Sequence, residues 1–271
     1  MNTKQRDTRL PNTQQLDLSI VIPLKNEAES ISGLIAEIIQ TLVEETSPAA
    51  TPIKTFEILL INDGSEDNTA ELIDELAAKN KFISAIHHQA HYGQSRAIHS
   101  GVSQAQYEWV LTMDGDGQND PEDIQKLVST LLEQQQTQVN NNRLLVIGQR
   151  RVRRDSLVKR LSSQLANTIR RRVLKDFTRD TGCSLKLFQR QEFLFLPYFD
   201  HIHRFLPALF QRQGVHVIAV SVNHRPRIAG YSKYGLWGRL WSGIVDLIGV
   251  YWLIRRYQIP RIKPTQKKVE E

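Results

Sequence analysis

Continuous apolar runs alternate with amphipathic stretches along the first half of the chain. "LSIVIPL" (18–24) and "FEILLIND" (56–63) are apolar enough for strands covered on both faces, and "FISAIHH" (82–88), "EWVLTMD" (108–114) and "LLVIG" (144–148) repeat the pattern more briefly. Between the first two, Ile31, Leu34, Ile35, Ile38 and Leu42 fall on one face at helical spacing. "NTAELIDELAAKN", "GQSRAIHSGVSQA" and "PEDIQKLVSTLLEQQ" read as three further helices, the last with Pro121 in its first turn, where the missing N–H costs little. Strand and helix alternate four times. That order predicts an α/β fold, a Rossmann-like, mostly parallel sheet flanked by helices on both faces.

Beyond the polar loop "QQQTQVNNN" the pattern changes. A basic helix over about 156–175 precedes two strand-like segments, "GCSLKLFQ" and "VHVIAVSVNHRP", and an aromatic helical segment closes the chain over 235–257. The expected organisation is a disordered lead-in (1–16), one α/β domain (17–230), amphipathic interfacial helices (231–260) and a polar tail (261–271). Hydrophobic residues make up 40% of the chain, enough for a substantial core. One cysteine excludes a disulfide framework and a cysteine-based zinc site, and a reducing compartment is the simplest setting. The polar N-terminus lacks the apolar core of a signal peptide, and nothing reaches the ~20 apolar residues of a spanning helix.

Charge is unevenly placed. The net charge is +6, yet residues 150–179 hold 11 Lys/Arg against Asp155 and Asp176. Such a block requires an anionic partner or plain solvation. Nucleic acid fits poorly, because no aromatic residue interleaves the charges between Arg150 and Asp176.

In parallel α/β sheets ligands bind beyond the carboxyl ends of the strands. Four polar clusters fall there: Asn26-Glu27, Asn62-Asp63-Gly64-Ser65, His91-Tyr92-Gly93-Gln94 and Asp114-Gly115-Asp116-Gly117-Gln118. Asp114 and Asp116 are the metal candidates, since hard oxygen ligands suit Mg²⁺ or Mn²⁺ bridging to substrate phosphates. Gln118 could add an amide oxygen. The plainer alternative is an acidic turn that caps a helix, which fits Asp120, Glu122 and Asp123 well. Asp63 ends a buried strand and suits a hydrogen bond to a nucleoside, and Asp67 or Asn68 is expected to cap the next helix.

"IVIPLKNEAESI", "ILLINDGSEDNT", "HYGQSRAIHSG" and "VLTMDGDGQNDPEDI" occur in this order and spacing. Together they resemble the inverting family-2 glycosyltransferases of GT-A fold, and most nearly the dolichol-phosphate mannose synthase-like branch, over roughly residues 17–230. The resemblance implies transfer of a hexose, such as mannose or glucose, from a GDP- or UDP-sugar to a polyprenyl phosphate. By it, Pro23, Asn26, Glu27 and Asp63 surround the nucleotide with Gly93 and Gln94, while Asp114, Asp116 and Gln118 hold the metal and donor diphosphate. Asn62 and His91 depart from the family's usual aspartate and asparagine.

By the same resemblance, "GQRRVRRDSLVKRLSSQLAN" is the segment that binds the lipid phosphate, with Arg150, Arg160 and Ser163 as the gripping residues and Lys159 nearby. Arg153, Arg154 and about two of Arg170–Arg172 are expected to be merely solvated. Asp180 precedes a small-residue turn near the acceptor or donor sugar. Arg225, Arg227, Ser232 and Lys233 lie on an expected mobile loop over the diphosphate. Cys183 reads as a packed residue. Trp237, Trp241, Ile244, Ile248, Tyr251 and Trp252 share a face at helical spacing, as in a helix lying on a membrane surface, docking a membrane protein or packing against a second copy. The expected location is peripheral, on the cytoplasmic face. A saccharide-hydroxyl acceptor and a non-catalytic nucleotide-sugar binder are the alternatives.

Overall fold

A computed structural model of the 271-residue chain describes residues 15–43, 52–137, 143–150, 168–176, 178, 180–226 and 236–256. The alternation read from the pattern is present: β1 (Leu16–Leu24), α1 (Ala28–Val43), β2 (Ile53–Asn62), α2 (Thr69–Lys79), β3 (Ile83–His87), α3 (Gln94–Gln104), β4 (Trp109–Thr112), α4 (Glu122–Thr137) and β5 (Leu144–Arg150). Two more strands, β6 (Lys186–Gln189) and β7 (His216–Val222), complete a seven-stranded sheet of order β3-β2-β1-β4-β6-β5-β7.

The sheet is parallel except at β6, which runs antiparallel to both β4 and β5. The reason is topological. Asp180–Leu185 lies at the carboxyl end of the parallel strands, so a strand leaving that turn can only run back down between β4 and β5. This places Lys186 beside Thr112 and Ile147 in the pairing register, and brings Ser184 under the loop that follows β4.

Two apolar clusters sandwich the sheet. One packs α1, α2 and α4 against Ile20, Ile22, Ile58, Leu60 and Leu111. The other packs α3 and the later helices against Val21, Leu59, Ile61, Val110, Leu145 and Ile147. Successive residues of each central strand thus alternate between two dry layers, which explains the unbroken apolar runs. Gly101 lets α3 approach closely: a Cβ there would lie 2.5 Å from Val21 Cγ1 and 2.7 Å from Ile61 Cδ1.

The later helices include the short Arg190–Leu194 and Leu206–Arg212, which the sequence pattern had not indicated, and the C-terminal Leu236–Arg256. Residues 168–174 are helical, and the earlier part of the expected basic helix lies outside the described residues. The C-terminal helix corrects one expectation. Leu247, Val250, Tyr251 and Ile254 turn toward the second cluster, with Val250 2% exposed. Ile244, Val245, Ile248 and Trp252 face outward. Tyr251 therefore leaves the face predicted for it, because the spacing 247, 250, 251, 254 is the stripe that meets the core. The side chains of Trp237 and Trp241 lie outside the described residues. Among the described residues no helix is long and apolar enough to cross a membrane.

Gly101→Ala tests the α3 packing. Alanine is the better helix former by about 1 kcal/mol, but the overpacking against a stiff valine outweighs this, and a net loss of about 1–2 kcal/mol is expected in urea denaturation.

Candidate functional site

The ends of β1 and β2 are buttoned together. Asn26 adopts a left-handed backbone (φ 54°). Its N–H donates to Ser65 Oγ at 2.9 Å, and its Oδ1 accepts from the Glu66 N–H at 2.8 Å. The Glu27 N–H donates to Thr69 Oγ1, and the Ala28 N–H donates to Asp67 Oδ2. Lys25 donates to the Gly64 carbonyl. Asp67 also accepts from the N–H and hydroxyl of Thr69, so it caps α2 and tethers the start of α1 at once. Asn68 makes no side-chain capping bond.

Asp63, the residue after β2, is 2% exposed and accepts three hydrogen bonds besides one ion-pair contact. Oδ1 takes His88 Nδ1–H (2.8 Å) and the Tyr92 N–H (2.9 Å). Oδ2 takes the Gly93 N–H (2.8 Å) and lies 2.7 Å from His91 Nδ1 as an ion-pair contact. Burial pushes this carboxyl up, but the His88 side chain, the two backbone amides and His91 outweigh it and hold its pKa below the ordinary range. The expected nucleoside contact at Asp63 thus meets a carboxylate that organises the 88–93 loop. Gly64, at φ 66°, lies so close to that loop that a Cβ would sit 2.6 Å from the Ala90 carbonyl carbon.

The loop in turn aims Gln94, whose Nε2 donates to Asp114 Oδ1 at 2.7 Å. Ser95, the next residue, meets His203 Nδ1 at 2.7 Å. Burial drives that imidazole well below its usual pKa.

Asp114, Gly115 and Asp116 form a turn wedged against the end of β1. A Cβ on Gly115 would lie 2.2 Å from Leu24 Cδ2, and the Gly115 carbonyl accepts from the buried Ser30 hydroxyl at 2.7 Å. The Asp114 N–H donates to Ser184 Oγ and Asn119 Oδ1, and Ser184 itself donates to Asn119 Oδ1 at 2.7 Å. Asp116, 7% exposed, accepts from the Gln118 N–H at 3.1 Å. Burial and the repulsion of Asp116 push the Asp114 carboxyl up to about 6, against the pull of Ser184, Lys186 and Arg150. A divalent cation would relieve that repulsion. Among the described residues no group of three His, Cys, Asp or Glu side chains is arranged to hold a metal ion. Two carboxylates would leave the remaining positions to water and phosphate oxygens, which suits Mg²⁺ or Mn²⁺ better than a fully protein-ligated ion.

Across the turn, Arg150 grips Asp180 through both donors of its fork, Nε to Oδ2 at 2.6 Å and Nη2 to Oδ1 at 2.8 Å. The resemblance assigns that fork to a lipid phosphate; in the structure it is paired with a carboxylate, as a buried aspartate requires. Arg225 is likewise paired with carboxylates. It bridges Glu37 (2.5 Å) and Asp120 (2.9 Å), while its N–H donates to the Gln118 carbonyl (3.0 Å), so it pins the acidic turn instead of roaming over it. Asp120 also accepts from the Glu122 N–H, as expected of a cap. Arg170 is buried against Asp176, whereas Arg171 and Arg172 are exposed. Cys183 is buried, and burial raises its thiol pKa. Arg160, Ser163, Arg227, Ser232 and Lys233 lie outside the described residues. Asn119, Ser184 and Lys186 were not singled out beforehand: their part depends on β6 returning beneath Asp114, for which the sequence carries no local signal.

A family model described as glycosyl transferase family 2 matches residues 19–194, which include all four strand-end clusters, Arg150 and the 180–184 turn. The chain belongs to this family. Among curated relatives, the family-2 chain is 31% identical over 248 residues to the dodecaprenyl-phosphate galacturonate synthase of Rhizobium johnstonii, covering 89% of this chain and 68% of that one. It is 34% identical over 221 residues to the undecaprenyl-phosphate 4-deoxy-4-formamido-L-arabinose transferase of Pectobacterium carotovorum, covering 80% and 62%. The chain thus spans about two thirds of the length of these relatives. Among solved structures, the glucosyl-3-phosphoglycerate synthase of Mycobacterium tuberculosis, crystallised with Mn²⁺ and UDP, superposes with a TM-score of 0.62 at 18% identity, over 88% of this chain and 80% of that one. The shared fold is GT-A, as the sequence resemblance implied.

The Asp63 hub makes a signed prediction for this family-2 domain. Its lowered pKa means that its contribution is fully present above the ordinary carboxylate range and is lost as pH falls through its own pKa. Asp63→Asn should cost about 2 kcal/mol at neutral pH. The difference from the parent, followed by urea denaturation, should shrink steadily as pH drops below about 4.

Proposed function

We propose that this family-2 glycosyltransferase moves a sugar from a GDP- or UDP-sugar onto a polyprenyl phosphate, with inversion, as a peripheral enzyme on the cytoplasmic face of a membrane. The observation that carries the reading is the Asp114–Asp116 pair, crowded enough to raise a carboxyl to about 6 at the open end of the sheet. The relatives' names supply the acceptor class, since both are named for a polyprenyl phosphate.

In the proposed reaction a phosphate oxygen of the lipid attacks the anomeric carbon. The bond from that carbon to the donor's diphosphate oxygen breaks on the opposite face, and the nucleoside diphosphate leaves with the electron pair. A phosphate monoester, with its second pKa near ~6, is already an anionic nucleophile at neutral pH, so no side chain must remove a proton. Asp114 and Asp116, with Gln118, would hold Mg²⁺ or Mn²⁺, which when bound neutralises charge on the departing diphosphate. Gln94 restrains Asp114, and Asn26, Glu27 and the 88–93 loop shape the nucleotide's surroundings. Arg150 adds fixed positive charge from its pair with Asp180. Arg160 and Ser163 are assigned to the acceptor phosphate, and Arg227 and Lys233 to the donor diphosphate.

The test is an incubation of the full chain with a divalent metal, a panel of GDP- and UDP-linked hexoses, uronates and amino-pentoses, and a polyprenyl phosphate, with glycolipid read by mass spectrometry. Glycolipid should form, disappear with EDTA, and return with Mn²⁺. Asp114→Asn and Asp116→Asn should each lower turnover by about 10²-fold or more. Sugar found only on a free saccharide would refute the acceptor assignment.

A further inference from the structure

The two helical layers of the sheet carry opposite charge. On one side, α1, α2 and α4 bear eight acidic side chains and two basic ones. On the other, the sequences of α3, the helical residues 168–174 and the helices Arg190–Leu194, Leu206–Arg212 and Leu236–Arg256 hold nine basic residues and two acidic, Arg170 among the nine being buried against Asp176. Residues scattered for solubility alone would not sort themselves by sheet face. The basic layer also presents apolar surface. Ile244, Val245, Ile248 and Trp252 are 42–64% exposed on the outer side of the C-terminal helix, and the exposed Arg255 and Arg256 follow. Helix 168–174 seats Leu174 in the same cluster that receives Val250, so the two helices belong to one layer. Its outward Arg171 and Arg172, with Thr168, Lys175 and Asp176, line a recess of 530 Å³. Asp176 is paired with Arg170 at 2.9 Å, which leaves the recess cationic.

We propose that this layer docks on an anionic bilayer. Ile244, Val245, Ile248 and Trp252 enter the boundary between headgroups and acyl chains, and Arg171, Arg172 and Lys175 hold lipid phosphates in the recess. An apolar stripe bordered by cations matches that surface in both hydrophobicity and sign. The acidic layer, on the opposite side of the sheet, is repelled from it, so charge and the apolar stripe orient the molecule in the same sense. The proposal deepens the lipid-acceptor reading and rests on it for the presence of a membrane. It adds the lipid charge, the docking face and the residues.

The test is co-sedimentation of the full chain with vesicles of phosphatidylcholine alone or in equal mixture with phosphatidylglycerol. Binding should require the anionic lipid, weaken as salt shortens the screening length, and fall at least about tenfold in Arg171→Glu/Arg172→Glu/Lys175→Glu. Trp252→Glu, which removes insertion without touching the recess, should also weaken it. Glu71→Lys/Glu75→Lys, on the opposite layer, should not. Equal binding to both vesicle types, undiminished binding by the recess variant, or self-association in place of vesicle binding would overturn the proposal. Transfer to a short-chain, water-soluble polyprenyl phosphate separates the two readings. Transfer without vesicle binding sinks the docking alone, and vesicle binding without any transfer sinks the catalytic reading while the docking stands. The recess variant should keep its parent's rate on the soluble acceptor, and loss of that rate would return these residues to the catalytic site and overturn the proposal.

Discussion

The cleft depends on a buried carboxylate that cannot be left unpaired. Asp63 stands at the end of a central strand with almost no access to water, and its charge is tolerable only because three donors and the His91 ring converge on it. His91, Tyr92 and Gly93 all lie on one loop, so meeting the aspartate's needs sets the path of the loop that starts α3. The loop carries Gln94 to Asp114. The left-handed backbone of Gly64 and its close approach to Ala90 follow from the same geometry. A satisfied buried charge of this kind has a narrow range of solutions, which makes it a good device for fixing a site built from separate loops.

A second device works from the other side. β6 returns antiparallel beneath β4 and delivers Ser184 and Lys186 to the underside of the acidic turn, while the turn before it supplies Asp180 to Arg150. The acidic pair is therefore framed by fixed positive charge but not cancelled by it, as the raised Asp114 pKa records. Arg225 closes the frame by clamping Asp120 and the Gln118 carbonyl to α1. Asp120 thus serves twice, as the cap of α4 and as an anchor for β7's exit loop.

The outer layers extend this logic to the whole molecule. Both clusters are equally apolar inside, yet the helices covering them differ in charge on the outside. Core packing does not require that difference, since any polar residue would serve on a solvated helix face. It is a property of the surface, and it falls on the layer that also exposes the C-terminal apolar stripe.

Periodicity alone determined the alternation of strands and helices and the clustering of Asn26, Asp63, Gln94 and Asp114 at strand ends, because a strand covered on both faces has to be an apolar run and its polar exit is visible as a break. The capping by Asp120 was legible as well, from the helical period that follows it. Partners far apart in the chain were not. That Arg150 faces Asp180, that Arg225 clamps Asp120, and that Tyr251 turns inward while Trp252 turns out depend on where β6, β7 and the last helix come to rest. A cation's local sequence is the same whether it meets a phosphate or a buried aspartate, and only the tertiary structure sets the carboxylate beside it.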